Sequence, residues 1–330
     1  MKRIFSIVLS AALMLGVSTL GACGKRNKPL RLGLGIHTSV TASDATEDKN
    51  GEGRASVTGA AVLVDAEGRI VRCFLDCAEN PVAYTADGKA IASEDFPTKY
   101  EMGDAYHMKT YGGAVKEWYA QADTFCSIVT DKTVSEVKAL VASDGKGTQD
   151  VIKAGCTIAV SEFVMAIEKA VADAVISEAT KNDTVRLTVS TAQTTSDATE
   201  DKDGNNQLEI TLFAAALNAE KQITAATADC VQIGFTFDES GVSTLDTAKP
   251  IASKGEMGDA YGMKAYGGAV KEWYEQAEVF CDACVGKTAG ALGALVTSEG
   301  YGTAELQAAG CTISVDGFVK AAEKLRAISN

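Results

Sequence analysis

Histidine and proline are scarce in this sequence. Its 330 residues include only two histidines, His37 and His107, and four prolines. Two histidines cannot supply a histidine-rich metal site, or a histidine-containing catalytic triad in both halves of the chain. Four prolines argue against long rigid linkers, because such linkers are typically rich in proline.

Basic residues are also in deficit. The chain has 31 Lys and Arg against 44 Asp and Glu, a formal net charge of −13. Proteins that bind nucleic acids neutralise phosphates with clustered Lys and Arg, so we expect no nucleic-acid partner. Hydrophobic residues at 46% and charged residues at 23% are typical of a globular protein, which excludes disorder as the main state.

The N-terminus has the pattern of a bacterial export signal. Lys2 and Arg3 precede an apolar stretch from Ile4 to Leu20, which is shorter and richer in small residues than a typical membrane span. The stretch leads into Leu-Gly-Ala-Cys at residues 20–23, which resembles a lipobox. In such signals the cysteine is acylated and becomes the first residue of the mature protein.

We therefore predict a signal peptide over residues 1–22, a lipidated Cys23 and a short tether over residues 23–31. Each buried methylene of an acyl chain such as palmitate contributes about 0.8 kcal/mol, so several chains hold a soluble domain on a membrane. No later stretch is long and apolar enough to span a bilayer. The expected location is extracytoplasmic, on the bacterial cell membrane. An ordinary secretory signal with an incidental cysteine is the alternative.

The rest of the chain contains one sequence twice. Glu101–Cys126 matches Glu256–Cys281 at 21 of 26 positions, and the acidic segment SDATEDK recurs at Ser43 and Ser196. The repeating unit, about 145 residues, is too long for a solenoid repeat and is typical of a whole domain. We predict a first repeat over residues 32–176, a linker over 177–184 and a second repeat over 185–330.

Within each repeat the strands precede the helices. In the first repeat, apolar residues alternate from Arg54 to Val64, and a second strand follows from Arg69 to Cys77, after an earlier strand from Leu32 to Thr41. Apolar residues at helical spacing then run from Val115 to Val129, and a last helix begins near Ser161. This order predicts an α+β fold with two tandem small antiparallel sheets, each packed against helices.

Two segments carry a further pattern: AAVLVDAEGRIVRC at residues 60–73 and AAGCTISVDGFVKAAEKL at residues 308–325. Together they resemble the FMN-binding domain family of bacterial surface and respiratory proteins. In that family a Ser/Thr-Gly-Ala-Thr stretch leads into the terminal helix, and a flavin transferase esterifies its last threonine to the FMN phosphate. Only the glycine and the threonine of that stretch are present here, in each repeat.

The resemblance implies FMN as a cofactor, attached at Thr157 and Thr312, with Gly155 and Gly310 allowing the phosphate to approach. It also implies a surface electron carrier with an unidentified redox partner. The residues alone leave another interpretation open, in which both threonines are turn residues of a non-redox ligand-binding or scaffold lipoprotein without flavin. No nucleophile–base pair or metal-ligand set recurs in both repeats, so we expect neither an enzyme nor a metal site.

The eight cysteines after Cys23 have two possible uses. Six of them are related by the repeat: Cys77 with Cys230, Cys126 with Cys281, and Cys156 with Cys311. Cys73 and Cys284 have no counterpart. They can be small buried apolar side chains, or they can form disulfides, for example between the helix cysteine and the Gly-Cys-Thr cysteine of each repeat.

Two further features have two interpretations each. The acidic segments at residues 43–51 and 196–204 are faintly similar to calcium loops, and the alternative is a solvated hairpin loop. Tyr106, Met108 and Tyr111 precede a helix, where they would either line a cleft for a flat ligand or pack in the core.

Overall fold

The structure is a computed structural model that describes residues 28–327. The predicted signal peptide and Cys23 lie outside the described residues. The first repeat contains five strands: β1 (Arg31–Ser43), β2 (Gly51–Val64), β3 (Ile70–Tyr84), β4 (Ala90–Ile91) and β5 (Val175–Ile176). The second repeat contains three: β6 (Thr184–Ser196), β7 (Gly204–Leu217) and β8 (Ile223–Phe237). The strands form two antiparallel sheets, in the orders β4-β3-β2-β1-β5 and β6-β7-β8.

Helices follow the strands in both repeats. Those of the first repeat are α1 (Lys99–Met102), α2 (Trp118–Val129), α3 (Val134–Lys138), α4 (Gln149–Lys153) and α5 (Ser161–Ala172). Those of the second are α6 (Lys254–Met257), α7 (Met263–Gly267), α8 (Trp273–Cys284), α9 (Ala304–Ala308) and α10 (Asp316–Glu323). The predicted α+β class, with a small antiparallel sheet packed against helices in each copy, is confirmed. None of the helices within residues 28–327 is long and apolar enough to cross a membrane.

The turn between β2 and β3 shows how the sequence ends one strand and begins the next. Asp65 accepts hydrogen bonds through Oδ1 from the backbone N–H groups of Glu67 and Arg69, at 3.0 and 2.8 Å. Gly68 supplies the left-handed conformation that the turn needs, with φ of 77°. The strands on either side extend beyond the predicted bounds, because the hydrogen-bonded ladder continues to Gly51 and Tyr84.

The start of α2 corrects the prediction that Val115 belongs to this helix. The helix begins at Trp118, and Val115 is exposed. Glu117 precedes the helix in an extended conformation, and its carboxylate accepts hydrogen bonds from the backbone N–H groups of Met108 and Lys109 at 2.8 and 3.2 Å. These bonds hold the preceding loop against the helix N-terminus, so the helix does not extend to residues before Trp118.

The molecule has four layers, helix–sheet–sheet–helix. On the outer face of the first sheet, α2 packs on β3, and α5 packs on β1 and β2. On the outer face of the second sheet, α8 packs on β8, and α10 packs on β6 and β7. Each repeat thus has its own core between sheet and helices. The inner faces of the two sheets meet in a third core, to which both repeats contribute.

Close packing at Gly59 shows how tightly the two sheets meet. A Cβ atom at Gly59 would lie 2.5 Å from a Cδ of Leu212 and 2.7 Å from a Cδ of Leu187, both in the second sheet. Since real Cβ contacts are longer than this, a larger residue at Gly59 would require these leucine side chains to move. The central core therefore depends on both repeats together.

Reciprocal hydrogen bonds relate the two repeats by an approximate two-fold axis. The Ala45 N–H donates to the Gly241 carbonyl at 2.8 Å, and the Ala198 N–H donates to the Gly88 carbonyl at the same distance. The ring of Tyr84 stacks on its counterpart Phe237, with centroids 4.3 Å apart.

The acidic segments are the loops of the β1–β2 and β6–β7 hairpins, and they take part in the contacts between the repeats. Asp44 accepts from the Ser243 N–H at 2.9 Å, and Asp197 accepts from the Ala90 N–H at 3.0 Å, so each loop binds the other repeat. No group of three or more metal-ligand side chains occurs anywhere in residues 28–327. The loops hold the repeats together, which neither interpretation of the sequence anticipated.

Candidate ligand clefts

Each repeat has a cleft between the outer face of its sheet and its helices. The cleft of the first repeat, cleft 1, encloses about 360 Å³, and its counterpart in the second repeat, cleft 2, about 140 Å³. Four pairs of lining residues match between them: Thr58 and Thr211, Cys77 and Cys230, Trp118 and Trp273, and Phe163 and Phe318. The two clefts are therefore the same site in two copies, at different sizes.

Cleft 1 contains a lysine that is largely withdrawn from solvent. Lys99 is the first residue of α1, and its side chain is 15% exposed. Its ammonium lies 3.1 Å from Glu79 Oε2, 5.4 Å from the ring centre of Tyr106 and 5.9 Å from that of Trp118. A cation over aromatic faces and beside a carboxylate is stabilised by both.

The second repeat has the same arrangement around Lys254, whose side chain is 9% exposed. Its ammonium lies 2.7 Å from Glu209 Oε1, 5.7 Å from the ring centre of Tyr261 and 5.6 Å from that of Trp273. Lys254 itself does not line cleft 2, because the ammonium is enclosed by its partners. The buried lysine and its aromatic neighbours are thus common to both repeats.

The carboxylate partner of the lysine comes from different strands in the two repeats. Glu79 lies on β3, where it pairs across the sheet with Ser56 of β2. The same cross-strand pair in the second repeat is Glu209 of β7 with Gln232 of β8. The acidic residue has therefore changed strands while the ion pair with lysine has stayed.

The environment keeps the lysines charged and the nearby thiols neutral. Burial alone would lower the pKa of Lys99, but nearby acidic groups, Glu79 among them, outweigh burial and raise it. Burial also raises the pKa of the Cys77 thiol, and it raises the pKa of Cys230 to about 12. At neutral pH these cysteines are thiols rather than thiolates, so they are poor nucleophiles.

A buried aspartate fixes the short helix that carries each lysine. Asp76 accepts through Oδ1 from the N–H groups of Cys77 and Tyr100, at 2.7 and 3.1 Å. Asp229 accepts in the same way from Cys230 and Gly255, at 2.7 and 2.8 Å.

Burial raises the pKa of Asp76 to about 7 and that of Asp229 to about 6. The sequence analysis overlooked this pair. An Asp-Cys dipeptide repeated inside two apolar strands was the available signal.

Thr157 and Thr312, the predicted FMN attachment residues, lie on exposed turns after α4 and α9. The N–H and the hydroxyl of Thr157 both donate to Gln121 Oε1, at 2.7 and 3.0 Å. Those of Thr312 donate to Gln276 Oε1, at 2.8 and 3.1 Å. Each threonine thus joins its turn to a buried glutamine on α2 or α8.

Gly155 and Gly310 adopt backbone conformations that only glycine takes readily, with φ of 100° and 99°. A lysine lies over each of them. Lys116 donates to the Ala154 carbonyl at 3.3 Å, and a Cβ at Gly155 would lie 2.7 Å from its ammonium. The matching Lys271 donates to the Ala309 carbonyl at 3.0 Å. The glycines therefore make room for a lysine that caps the preceding short helix.

The aromatic residues before α2 separate into two groups. Tyr106 and Met108 line cleft 1, whereas Tyr111 is 82% exposed and its counterpart Tyr266 is 91% exposed. Tyr106 and Met108 thus fit both interpretations, since they line the cleft and also pack against the core, whereas the exposed Tyr111 fits neither.

All eight cysteines within residues 28–327 are free thiols, and only Cys73 is not fully buried. The arrangement corresponds to the interpretation of the cysteines as small apolar side chains.

Comparisons with protein-family models, with curated proteins and with solved structures gave no match for this chain.

Proposed function

We propose that the protein is a lipid-anchored extracytoplasmic binding protein with a small-molecule site in cleft 1 of the first repeat. The observation that carries this proposal is the retained ion pair between a buried lysine and a carboxylate that has moved to another strand. Duplication alone would leave the carboxylate at the equivalent position in both repeats. Because the carboxylate instead comes from a different strand in each repeat, we infer that the protein requires a charged lysine beside the tryptophan. Clefts with an apolar lining and a few polar groups are typical ligand sites.

Glu162 defines the ligand class that suits cleft 1. Its carboxylate accepts hydrogen bonds from Thr58 and Ser39 at 3.2 and 3.4 Å, and no cation of residues 28–327 forms an ion pair with it. Cleft 1 thus offers an ammonium on Lys99, a carboxylate on Glu162 and the apolar rings of Trp118 and Phe163. A small zwitterion with an apolar side chain, such as an amino acid, complements all three. Cleft 2 has Gly317 in place of Glu162 and is smaller than typical ligand sites, so the proposed site is confined to the first repeat.

Flavin binding is the second candidate, and the position of Thr157 is the observation that favours it. Thr157 is exposed and immediately precedes Ile158, which lines cleft 1. FMN bound there would supply electron transfer, with Lys116 beside its phosphate. The volume of cleft 2, about 140 Å³, is below the range of about 300–1,000 Å³ typical of ligand sites, so this candidate is restricted to the first repeat.

The two tryptophans of the chain allow each cleft to be tested separately, because Trp118 lines cleft 1 and Trp273 lines cleft 2. Trp273→Phe leaves an emission signal from cleft 1 alone, and Trp118→Phe leaves one from cleft 2. We expect a saturable change in Trp118 emission with at least one of the non-tryptophan protein amino acids.

The matched variants decide whether the charged groups bind the ligand. Lys99→Met and Glu162→Gln should each weaken binding at least tenfold, a loss of about 1.4 kcal/mol. Lys138→Met, which alters an exposed ion pair with Glu168, should leave the affinity unchanged. If no amino acid changes the emission of Trp118, the zwitterion proposal is wrong.

An intact mass and a visible spectrum test the flavin candidate. The protein lacking its signal is produced with and without an FMN transferase. One added FMN that disappears in Thr157→Ala but persists in Thr312→Ala would establish a covalent flavin in the first repeat. Yellow protein without added mass would indicate reversible binding, and colourless protein of unmodified mass would exclude both.

Fatty-acid labelling tests whether the protein is lipidated at Cys23. Labelling with a radioactive fatty acid should mark the wild-type protein and should be lost in Cys23→Ser. Persistent labelling of Cys23→Ser would contradict lipidation at this residue.

A further inference from the structure

A cavity larger than either cleft lies between the two repeats. It is a groove of about 760 Å³ where β8 and α8 of the second repeat meet β1 and β5 of the first. Its floor is apolar, formed by residues such as Leu32, Leu34 and Ala225. The volume lies within the range typical of small-molecule sites. We call it the interrepeat groove.

The approximate two-fold axis relates this groove to a region that is filled in the other half of the molecule. Phe74 and Tyr100 pack together there, with ring centres 4.7 Å apart. Their counterparts in the groove are Thr227 and Gly255. The positions of the two aromatic rings are thus occupied in the second repeat by the small side chain of Thr227 and by Gly255, which has no side chain. The groove is the space left by the missing rings.

The filled region also contains a cation. The Arg186 guanidinium of β6 lies 5.4 Å from the ring centre of Phe74, close enough to Asp123 to act on its pKa. Asp123 accepts a hydrogen bond from the Tyr100 hydroxyl at 3.3 Å. The counterpart of Asp123 in the groove is Glu278. The acidic member of the cluster is therefore present in both halves.

The arginine is missing from the groove, and the fold prevents its replacement. The residue of β1 that corresponds to Arg186 is Gly33. A Cβ at Gly33 would lie 1.8 Å from the Ala170 carbonyl oxygen of α5, so no larger residue fits there. The chain cannot supply its own cation to the groove from this position.

The charge of the groove is strongly negative. Six acidic residues line it, and no Lys or Arg of residues 28–327 does so: the six are Asp173, Glu178, Asp229, Glu256, Glu278 and Asp282. Glu256 is paired with Lys169 at the edge of the groove. The apolar side chains of Val175 and Ile176 on β5 are 57% and 74% exposed beside these carboxylates. The groove therefore combines apolar surface with unneutralised negative charge.

We propose that the interrepeat groove binds a small organic cation, a guanidinium or primary ammonium carried on a short apolar stem. The cationic head lies beside Glu278, the counterpart of the Asp123 carboxylate that Arg186 acts on in the other half, and the Tyr274 ring on the groove wall is its aromatic neighbour; the stem lies along the small residues of β8. Organic cations are recognised by this combination of carboxylates and an aromatic face. The site is separate from clefts 1 and 2 and does not depend on what they bind.

Agmatine, which carries a guanidinium and an ammonium on a four-carbon stem, is the probe. Isothermal titration calorimetry with the chain from residue 24 onwards should give saturable binding with a stoichiometry of one. Pentan-1-ol, a neutral molecule with a similar stem, should not bind. Glu278→Gln should weaken agmatine binding about tenfold, whereas Asp123→Asn in the filled half should leave it unchanged.

A second variant rebuilds the filled arrangement in the groove. Thr227→Phe combined with Gly255→Tyr should abolish binding while the far-UV circular dichroism stays that of the wild type. The proposal is overturned if agmatine shows no saturable binding up to about 10 mM, or if Glu278→Gln binds it as tightly as the wild type. Glu278→Gln changes only an exposed position on α8, so the test stands even if the double variant does not fold.

Discussion

The two repeats of this protein are similar in the residues that contact each other across the approximate two-fold axis, and they differ in residues that line cavities. The reciprocal contacts of the acidic loops, the stacked Tyr84 and Phe237 rings and the buried lysines occur in both halves. The repeats differ at the interrepeat groove, where Phe74 in one repeat corresponds to Thr227 in the other, and in the volumes of the two clefts. Contacts across the approximate axis constrain both copies at once, whereas positions away from it are free to differ. The comparison thus separates residues needed for assembly from residues available for binding.

Separating the repeats should have the largest effect. A chain of residues 28–176 alone would expose the inner face of its sheet, including Leu32, Val57 and Leu63, which are buried against the second repeat. We expect the loss to exceed the net stability of about 5–15 kcal/mol that a typical domain has, so that the isolated repeat does not fold as a monomer. Size-exclusion chromatography and circular dichroism should show association or loss of structure. A monomer with a cooperative thermal transition would contradict the shared core.

The exchange of Phe74 and Thr227 should have the next largest effect, and an unequal one. Phe74→Thr removes a buried ring and leaves a cavity beneath Tyr100, so we expect it to lower the free energy of unfolding by about 2–4 kcal/mol. Thr227→Phe places a ring in an open groove and should change the free energy of unfolding by less than about 1 kcal/mol. Urea denaturation of both variants measures the two values. Equal losses would show that the two regions are packed alike.

The buried aspartates should make stability depend on pH differently in the two repeats. Burial raises the pKa of Asp76 from 3.8 to about 7 and that of Asp229 to about 6, so the folded state favours the protonated acids. The stabilisation is complete below the ordinary pKa near 4 and is lost as the pH rises through the folded-state pKa. Each unit of pKa difference corresponds to about 1.4 kcal/mol.

Between pH 6 and 7 the loss should come mainly from Asp76. Asp76→Asn should therefore flatten the fall of unfolding free energy over that interval, and Asp229→Asn should flatten it mainly between pH 4 and 6. Urea denaturation at a series of pH values tests both. The same slope in wild type and variants would rule out these carboxyls as its source.

The last comparison moves the carboxylate of the lysine ion pair from one strand to the other. Glu79→Gln leaves Lys99 without its charged partner and should lower the free energy of unfolding by about 2 kcal/mol. Adding Ser56→Glu reproduces the arrangement of Glu209 in the second repeat and should recover about half of that loss. A double variant no more stable than Glu79→Gln would mean that the two strands are not equivalent positions for the carboxylate.

Much of the local structure could be predicted from the sequence. Alternation, turn residues and helical spacing located the strands and the main helices, because these signals depend on neighbouring residues. The contact between the two sheets was not predicted, although β2 contains a signal for it. All residues from Val57 to Val64 are buried, and a strand covered on one face only would alternate. The unbroken run of small and apolar residues from Gly59 to Val64 was the available evidence.

The clefts were harder to predict than the fold. Lys99 is a charged residue in a polar turn, and such residues are usually exposed, so only the three-dimensional arrangement shows that it is enclosed by Tyr106 and Trp118. The interrepeat groove is defined by side chains that are absent. The importance of Thr227 and Gly255 becomes visible only when they are compared with Phe74 and Tyr100, which occupy the equivalent positions in the first repeat.

The stack of Tyr84 on Phe237 lies where, in a symmetric dimer of identical chains, a residue would meet its own copy. In such a dimer any substitution occurs twice, so a groove opened on one side opens on both. Joining the two copies in one chain removes that restriction, because each half then mutates by itself while the linkage keeps its partner at high effective concentration. Covalent fusion is thus what permits a single groove in an otherwise two-fold molecule.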